Sequence, residues 1–368
     1  MKNQIITLGS YDFARAQIIH SELFAAGIKC FQEHEGAILS GVQSIVNIRI
    51  NEVDSEKALK IINNYKDISE IVKERVTKLQ VPLTRILVAV DFSEHSMTTC
   101  RLAMSVAKEY NAEIKLFHTY ETPVINSSPY TEPVVYAVEP VNQLSNLLSE
   151  SKQKMNSLKK ELLKIWPKSK LTYSLINDIP FEGIIQISNN YKPGLIFIGK
   201  HINENLQNSM ISHIARKVAA NTTIPVVVVP EISTEKNWKS INKVLYATDL
   251  DEQDLISITI LTEMLQPLKI EVHCVHVSIG TISPIIQARF ELMKKEIRSQ
   301  SIRLKNVVFE LIVGEDVEKT LETYMRNNNI GIISMTPHKR NLLSQWLTPS
   351  LTNHIVKNSE VPVLLLHN

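Results

Sequence analysis

Two aspartates stand where chemistry could occur. Asp91 closes the apolar run Arg85-Ile-Leu-Val-Ala-Val, and Asp249 closes Lys243-Val-Leu-Tyr-Ala-Thr. In an open α/β sheet, ligands bind outside the carboxyl ends of the strands, near the point where strand order reverses. A carboxylate there can accept hydrogen bonds from a ligand. The same residue types also serve structure, because Asp91 with Ser93, and Asp249 with Asp251, can cap the helix that follows each strand. Both readings stand on sequence alone. A further candidate, His273-Cys-Val-His276, offers three metal-binding side chains. Strand alternation puts Cys274 and His276 on one face and His273 on the other, so the three cannot converge on zinc. Cys100 reads as a small buried residue of the first helix after Asp91. The chain carries no Gly-x-Ser-x-Gly elbow, no phosphate loop ending in Lys-Ser/Thr and no dinucleotide glycine fingerprint. No catalytic set emerges, and the expected activity is binding.

The elements that must position these residues occur twice. Besides the two runs ending in aspartate, Glu113-Ile-Lys-Leu-Phe-His118 reappears as Glu271-Val-His-Cys-Val-His276. Gly194-Leu-Ile-Phe-Ile-Gly199 reappears as Gly331-Ile-Ile-Ser-Met335, and Ile224-Pro-Val-Val-Val-Val229 as Val361-Pro-Val-Leu-Leu-Leu366. Matched segments in one order mean two copies of a domain. The copies are expected at 84–231 and 241–368, joined by a linker at 232–240. Each reads β-α-β-α-β-α-β, and strands alternating with helices predict parallel pairing through right-handed crossovers. The first copy is longer in one place. The surplus fits a loop at 121–140, rich in Pro, Ser and Val, ahead of an amphipathic helix at 144–165 whose apolar stripe is core packing.

Residues 1–66 stand apart. A strand at 4–8, a helix over 13–26 closed by Gly27, strands at 28–31 and 45–50, and a helix capped by Asp54 and Ser55 give the order βαββα. That order predicts a small ferredoxin-like α+β domain with helices on one face of an antiparallel sheet. A charged helical linker is expected at 67–83.

Composition narrows the class. Forty Lys+Arg against 38 Asp+Glu give a formal net charge of +2, without the basic excess of a nucleic-acid binder. No apolar run approaches the roughly 20 residues of a membrane span, and the first thirty residues include Asp12 and Glu22. Cys30, Cys100 and Cys274 lie far apart. A cytoplasmic protein is expected, without structural disulfides, membrane contact or nucleic-acid partner.

Over 84–368 the chain resembles the universal stress protein family in tandem. The resemblance rests on Ile86-Leu-Val-Ala-Val-Asp-Phe-Ser93, Gly314-Glu-Asp-Val317, Leu195-Ile-Phe-Ile-Gly-Lys-His201 and the two closing strands. The N-terminal segment resembles a small signal-transducing domain of bacteria in Ala25-Ala-Gly-Ile28 and the helix start at Asp54. The family resemblance implies two doubly wound parallel-sheet domains of the adenine-nucleotide-hydrolase-like type. It also implies ATP or AMP binding in some members, through a loop Gly-x2-Gly-x9-Gly-Ser/Thr and an aspartate at the end of the first strand.

Laid on that loop, the first copy keeps Gly199 but has Ile202 at the second glycine and Ser212-His213 at the Gly-Ser position. The second copy has Thr336, Lys339 and Pro349-Ser350. A branched side chain stands where phosphate should meet backbone, and proline lacks the N–H donor. Lys200-His201 and His338-Lys339-Arg340 put cations in the phosphate region; they are read either as an anion site or as a solvated basic loop. Gly314 keeps the family's turn after the third strand, replaced in the first copy by Asn177-Asp-Ile, and an ordinary strand-to-helix turn uses the same residues.

The resemblance therefore implies a non-enzymatic regulatory protein with degenerate nucleotide pockets. The alternative is an ATP or AMP sensor with one working pocket, built from Asp91, Ser93, Gly199, His201 and Ser212, or from Asp249, Gly314 and Ser350. In the family the last strand pairs across a dimer. Two copies in one chain are expected to pair with each other, with a homodimer or an unidentified protein partner as further association.

Overall fold

A computed structural model describes residues 5–35, 45–63, 83–120, 139–199, 210–230, 241–250, 252–268, 270–300, 306–336, 354–355 and 358–366. The chain divides into two compact units. One comprises 1–80, 247–262 and 273–324; the other comprises 81–246, 263–272 and 325–368.

In the first unit, the N-terminal segment folds as β1 (Ile5–Asp12), α1 (Phe13–Ala25), β2 (Cys30–Glu35), β3 (Ile45–Asn51) and α2 (Ser55–Asn63). The three strands form an antiparallel sheet in the order β1-β3-β2. Val46, Ile48 and Ile50 alternate toward Ile19 and Leu23 of α1, and all five side chains are buried. Period-2 and period-3.6 stripes thus meet in one core. Gly27 adopts φ 76°, and the Ile28 N–H donates to Leu23 O at 2.8 Å, which closes α1. Two strands outrun their expected lengths. Ladder pairing carries β1 as far as Asp12 opposite Ile45, past an irregularity between Thr7 and Gly9, and carries β2 to Glu35. Polar residues continue a strand when the backbone partner continues, which periodicity cannot register.

The first copy runs β4 (Arg85–Ala89), α3 (Glu94–Tyr110), β5 (Glu113–Thr119), α4 (Glu139–Ile165), β6 (Leu171–Ile176), α5 (Pro180–Tyr191), β7 (Leu195–Gly199), α6 (Met210–Asn221) and β8 (Val226–Val229). The second runs β9 (Lys243–Ala247), α7 (Glu252–Leu265), β10 (Glu271–Ile279), α8 (Pro284–Gln300), β11 (Val307–Gly314), α9 (Val317–Asn328), β12 (Ile332–Met335) and β13 (Val363–Leu365). Among the described residues each copy has five strands, not the four of the β-α-β-α-β-α-β reading. The missed strands, β6 and β11, are only half buried along most of their length and lack the continuous apolar run that marked the others.

The second unit of the chain carries one sheet in the order β9-β12-β13-β8-β7-β4-β5-β6. Its neighbours are parallel at every junction except β13 with β8, which is antiparallel, with Val363 opposite Val228 and Leu365 opposite Val226. All seven residues of these two closing strands are essentially inaccessible. Their pairing removes two apolar sheet edges that would otherwise template aggregation. The strand order reverses around β4 and β7, so the carboxyl ends of β4, β5 and β7 border a crevice.

Helix α4 begins at Glu139, five residues before the expected start at 144, so the end of the proline-rich stretch is helical. The rest of that stretch (121–138), most of the linker at 67–83, and the linker at 232–240 lie outside the described residues.

Candidate functional site

At the end of β4 the chain leaves the sheet through Asp91 and Phe92 and enters α3. Phe92 adopts φ 62°, a left-handed conformation that bulky residues rarely accept, and Leu250 repeats it at φ 65° in the second copy. Ser93 is the N-cap of α3, and its Oγ accepts from the Ser96 N–H at 3.2 Å. One oxygen of Asp91 accepts from the Ser93 N–H at 3.0 Å, from Ser93 Oγ at 2.6 Å, and from the Ser96 hydroxyl. The Asp91 N–H in turn donates to Ser96 Oγ at 3.0 Å. The capping role thus accounts for the orientation of Asp91 and Ser93, while Asp91 itself remains solvent-exposed.

Three further groups converge on the same strand ends. His118, in β5, donates from Nδ1 to Val90 O at 2.7 Å; a carbonyl only accepts, so that nitrogen carries the proton. Its ring lies 4.2 Å from that of Phe92. Burial pushes its pKa below the usual 6.5, opposed by the Val90 carbonyl and by Asp91, so the ring is neutral near pH 7. His95, buried in the first turn of α3, holds the end of β8 through Nε2 and Val229 O at 2.9 Å. Gly199 ends β7 beneath that turn. A Cβ there would stand 2.8 Å from Thr99 Oγ1 and 3.1 Å from His95 Cδ2. The absent side chain is explained by the close approach of α3, without any phosphate.

Together these groups border a cavity of about 170 Å³. Asp91, Ser96 and His118 supply its polar edge, and Ile184, Ile198 and Ile214 are among its apolar walls. Drug-sized ligands normally occupy about 300–1,000 Å³, so this cleft takes only a small molecule or part of a larger one.

The equivalent strand end in the second copy is built differently. Asp254 stands where Ser96 does, fully buried, and its Oδ2 accepts from Thr248 Oγ1 at 2.7 Å and from the Asp249 N–H at 3.0 Å. Asp249 is 9% exposed. His276 repeats His118, with Nδ1 donating to Thr248 O at 2.8 Å. Burial again lowers its pKa, Arg289 reinforces that, and the Thr248 carbonyl and Asp249 oppose it. The neighbouring Cys274 thiol is raised well above its ordinary value by burial and by Asp254, which leaves it unreactive. His273 points elsewhere, to the Tyr324 hydroxyl at 2.7 Å. Among the described residues no metal-binding cluster forms.

Gly314 ends β11, where a Cβ would collide with Thr320 Oγ1. Helix packing again explains the glycine. The position equivalent to Gly199 is Thr336, whose buried hydroxyl bonds the Tyr246 hydroxyl at 2.8 Å; Tyr246 occupies the place of Val88.

The structure therefore brings Asp91, Ser93 and Gly199 together in the first copy. Asp249 lies in the buried network of the second. Ser212 lies in α6, and its side chain is outside the described residues, as are His201, Ser350, Ile202, Pro349 and the basic loops. Sequence reasoning missed His95, Ser96, Asp254 and Arg289, and treated His118 only as a strand-end residue. The recurrence of His118 and His276 twenty-eight residues after Val90 and Thr248 was an available signal.

The model of the universal stress protein family matches residues 82–230 and again 240–367. Among individual relatives, universal stress protein MJ0531 of Methanocaldococcus jannaschii is 25% identical over 151 residues, covering 41% of this chain and 84% of that protein. Universal stress protein YxiE of Bacillus subtilis is 27% identical over 154 residues, covering 39% and 97%. A crystal structure of a universal stress protein from Archaeoglobus fulgidus superposes with a TM-score of 0.52 at 17% identity, covering 77% of this chain and 98% of that one. That last likeness speaks to fold alone.

Proposed function

Since the chain belongs to the universal stress protein family, we propose that it is a non-enzymatic regulatory protein acting by binding, with its two copies divided in role. The first copy receives a small ligand; the second is a structural partner whose own site has degenerated. One contrast carries this reading. Gly199 borders the 170 Å³ cleft, whereas Thr336 at the same repeat position carries a side chain locked to Tyr246. The cleft offers acceptors at one edge and apolar walls behind, which suits a flat ligand with donor groups. A second reading is an ATP or AMP sensor that holds the nucleoside part in this cleft. The cleft's position at the carboxyl ends of β4 and β5 favours it.

The domain layout in this reading is a signal-transducing-like module at 1–66, a linker at 67–83, copies at 84–231 and 241–368, and a linker at 232–240. The antiparallel β8–β13 pair supports an intramolecular pseudo-dimer. A homodimer or another protein partner would then use a different surface, in the cytoplasm.

The test is to heat-denature natively purified protein, identify what it releases by mass spectrometry, and titrate ATP, AMP and adenosine calorimetrically. At most one ligand per chain is expected, with no phosphate release above a protein-free control. Two ligands per chain would overturn the division of roles, and sustained phosphate release would overturn the non-enzymatic reading.

A further inference from the structure

The N-terminal segment is the part of this chain to which the family resemblance gives no role, and its packing supplies one. Residues 1–80 group with 247–262 and 273–324 of the second copy in one compact unit. Within that unit α1 packs against α8. A polar contact between these helices is Glu22 Oε1 with Arg289 Nη2 at 3.3 Å, with side chains only 19% and 26% exposed. Arg289 lies in the second turn of α8, which starts at Pro284, and Met293, one turn further along, meets the β9 strand end, with its Sδ 3.6 Å from Thr248 Oγ1; from this helix Arg289 helps to lower the pKa of His276. Among the groups acting on that ring are Asp249 and the Thr248 carbonyl from the β9 strand end and Arg289 from α8. One guanidinium therefore addresses both the N-terminal domain and the strand-end network of the second copy.

We infer that the N-terminal domain is a built-in partner of the second copy, seated through α1 on α8, and that the Glu22–Arg289 pair couples its docking to the Asp249–His276 group. Arg289 is a positioning residue in this device. While Glu22 holds it, its charge is largely neutralised; when the domain lifts away, an uncompensated cation faces the strand end. The domain's attachment is thereby converted into local charge at the strand end that is the repeat equivalent of the one bordering the first copy's cleft. Removing one partner of a partly buried pair leaves the other charge uncompensated, and that asymmetry is what the coupling uses. This coupling concerns the second copy and stands or falls independently of ligand binding in the first.

The opposite signs of two substitutions make the inference testable on the full-length chain. His276 is titrated by NMR in wild type, Glu22→Gln and Arg289→Gln, and hydrogen exchange is followed over 13–25 and 284–300. Removing Arg289 should raise the His276 pKa, because a repelling cation is gone. Removing the Glu22 charge should lower it, because the cation is no longer neutralised. Both variants should exchange severalfold faster at α1 and α8, with the first copy unchanged. The charge-swapped pair, Glu22→Arg with Arg289→Glu, should restore slow exchange. The inference is overturned if Glu22→Gln leaves His276 unmoved, if both single variants shift it in the same direction, or if the swapped pair exchanges as fast as the singles.

Discussion

Placing a methyl group on Gly199 tests why that glycine is there. The new Cβ would lie 2.8 Å from Thr99 Oγ1, 3.1 Å from His95 Cδ2 and 3.3 Å from His95 Nε2, against ordinary contacts of 3.4–4 Å. Neither neighbour can move freely. His95 is anchored to Val229 O, and Thr99 is buried and bonded to His95 O at 3.2 Å. Overpacking of this kind costs about 1–3 kcal/mol. With a urea m-value of about 2 kcal/mol/M, the unfolding midpoint should fall by roughly 0.5–1.5 M. Gly199→Ala is measured beside Thr99→Ala and the double variant by urea denaturation. Thr99→Ala removes a hydroxyl bonded to His95 O of its own helix together with a buried γ-methyl, so alone it should cost about 1 kcal/mol. In the double variant it should recover most of the loss, a coupling of about 1–2 kcal/mol. Additive effects, or a Gly199→Ala cost below about 0.5 kcal/mol, would refute the packing argument. A stable variant that lost only ligand affinity would show instead that the glycine serves a bound molecule.

Two other outcomes follow from the same geometry. His118 has a lowered folded pKa, so the unfolded chain binds the proton more readily. Its contribution to stability is fully present above the unfolded value of 6.5 and is lost as pH falls through 6.5 toward the folded pKa. His118→Gln should flatten the pH dependence of the urea midpoint in that window, and an unchanged slope would contradict it. Tyr246→Phe should cost about 0.5–1.5 kcal/mol by removing the buried hydroxyl-to-hydroxyl bond with Thr336, and adding Thr336→Val should cost little more, because the bond between the two is already gone. Thermal unfolding of the three proteins decides it, and a double-variant loss well beyond that of the single variant would show that the hydroxyl pair is not what stabilises that site.

The repeat, the α/β class and the Ser93 cap of the first copy's first helix were all legible in the residues themselves. Arg85–Ala89, Leu195–Gly199 and Val226–Val229 are continuous apolar runs because parallel strands are covered on both faces, and that burial writes itself into sequence. Ser93 announces a helix start because capping is a local bond between neighbours. Strands β6 and β11 stayed hidden because they are not so covered, and their polar residues break the run.

What only the tertiary structure decided depends on contacts between distant segments. Gly199 looks like part of a phosphate loop until α3 is laid against it and His95 and Thr99 fill the space. Thr336 looks like a lost glycine until Tyr246, ninety residues earlier, supplies its partner. Glu22 and Arg289 are separated by 267 residues, and nothing in either neighbourhood marks them as a pair. Local periodicity and capping obey forces that act within a few residues, so the amino-acid order states them directly. Cleft, lock and latch arise from packing across the sheet and between domains, where a residue's meaning is set by what the fold brings against it.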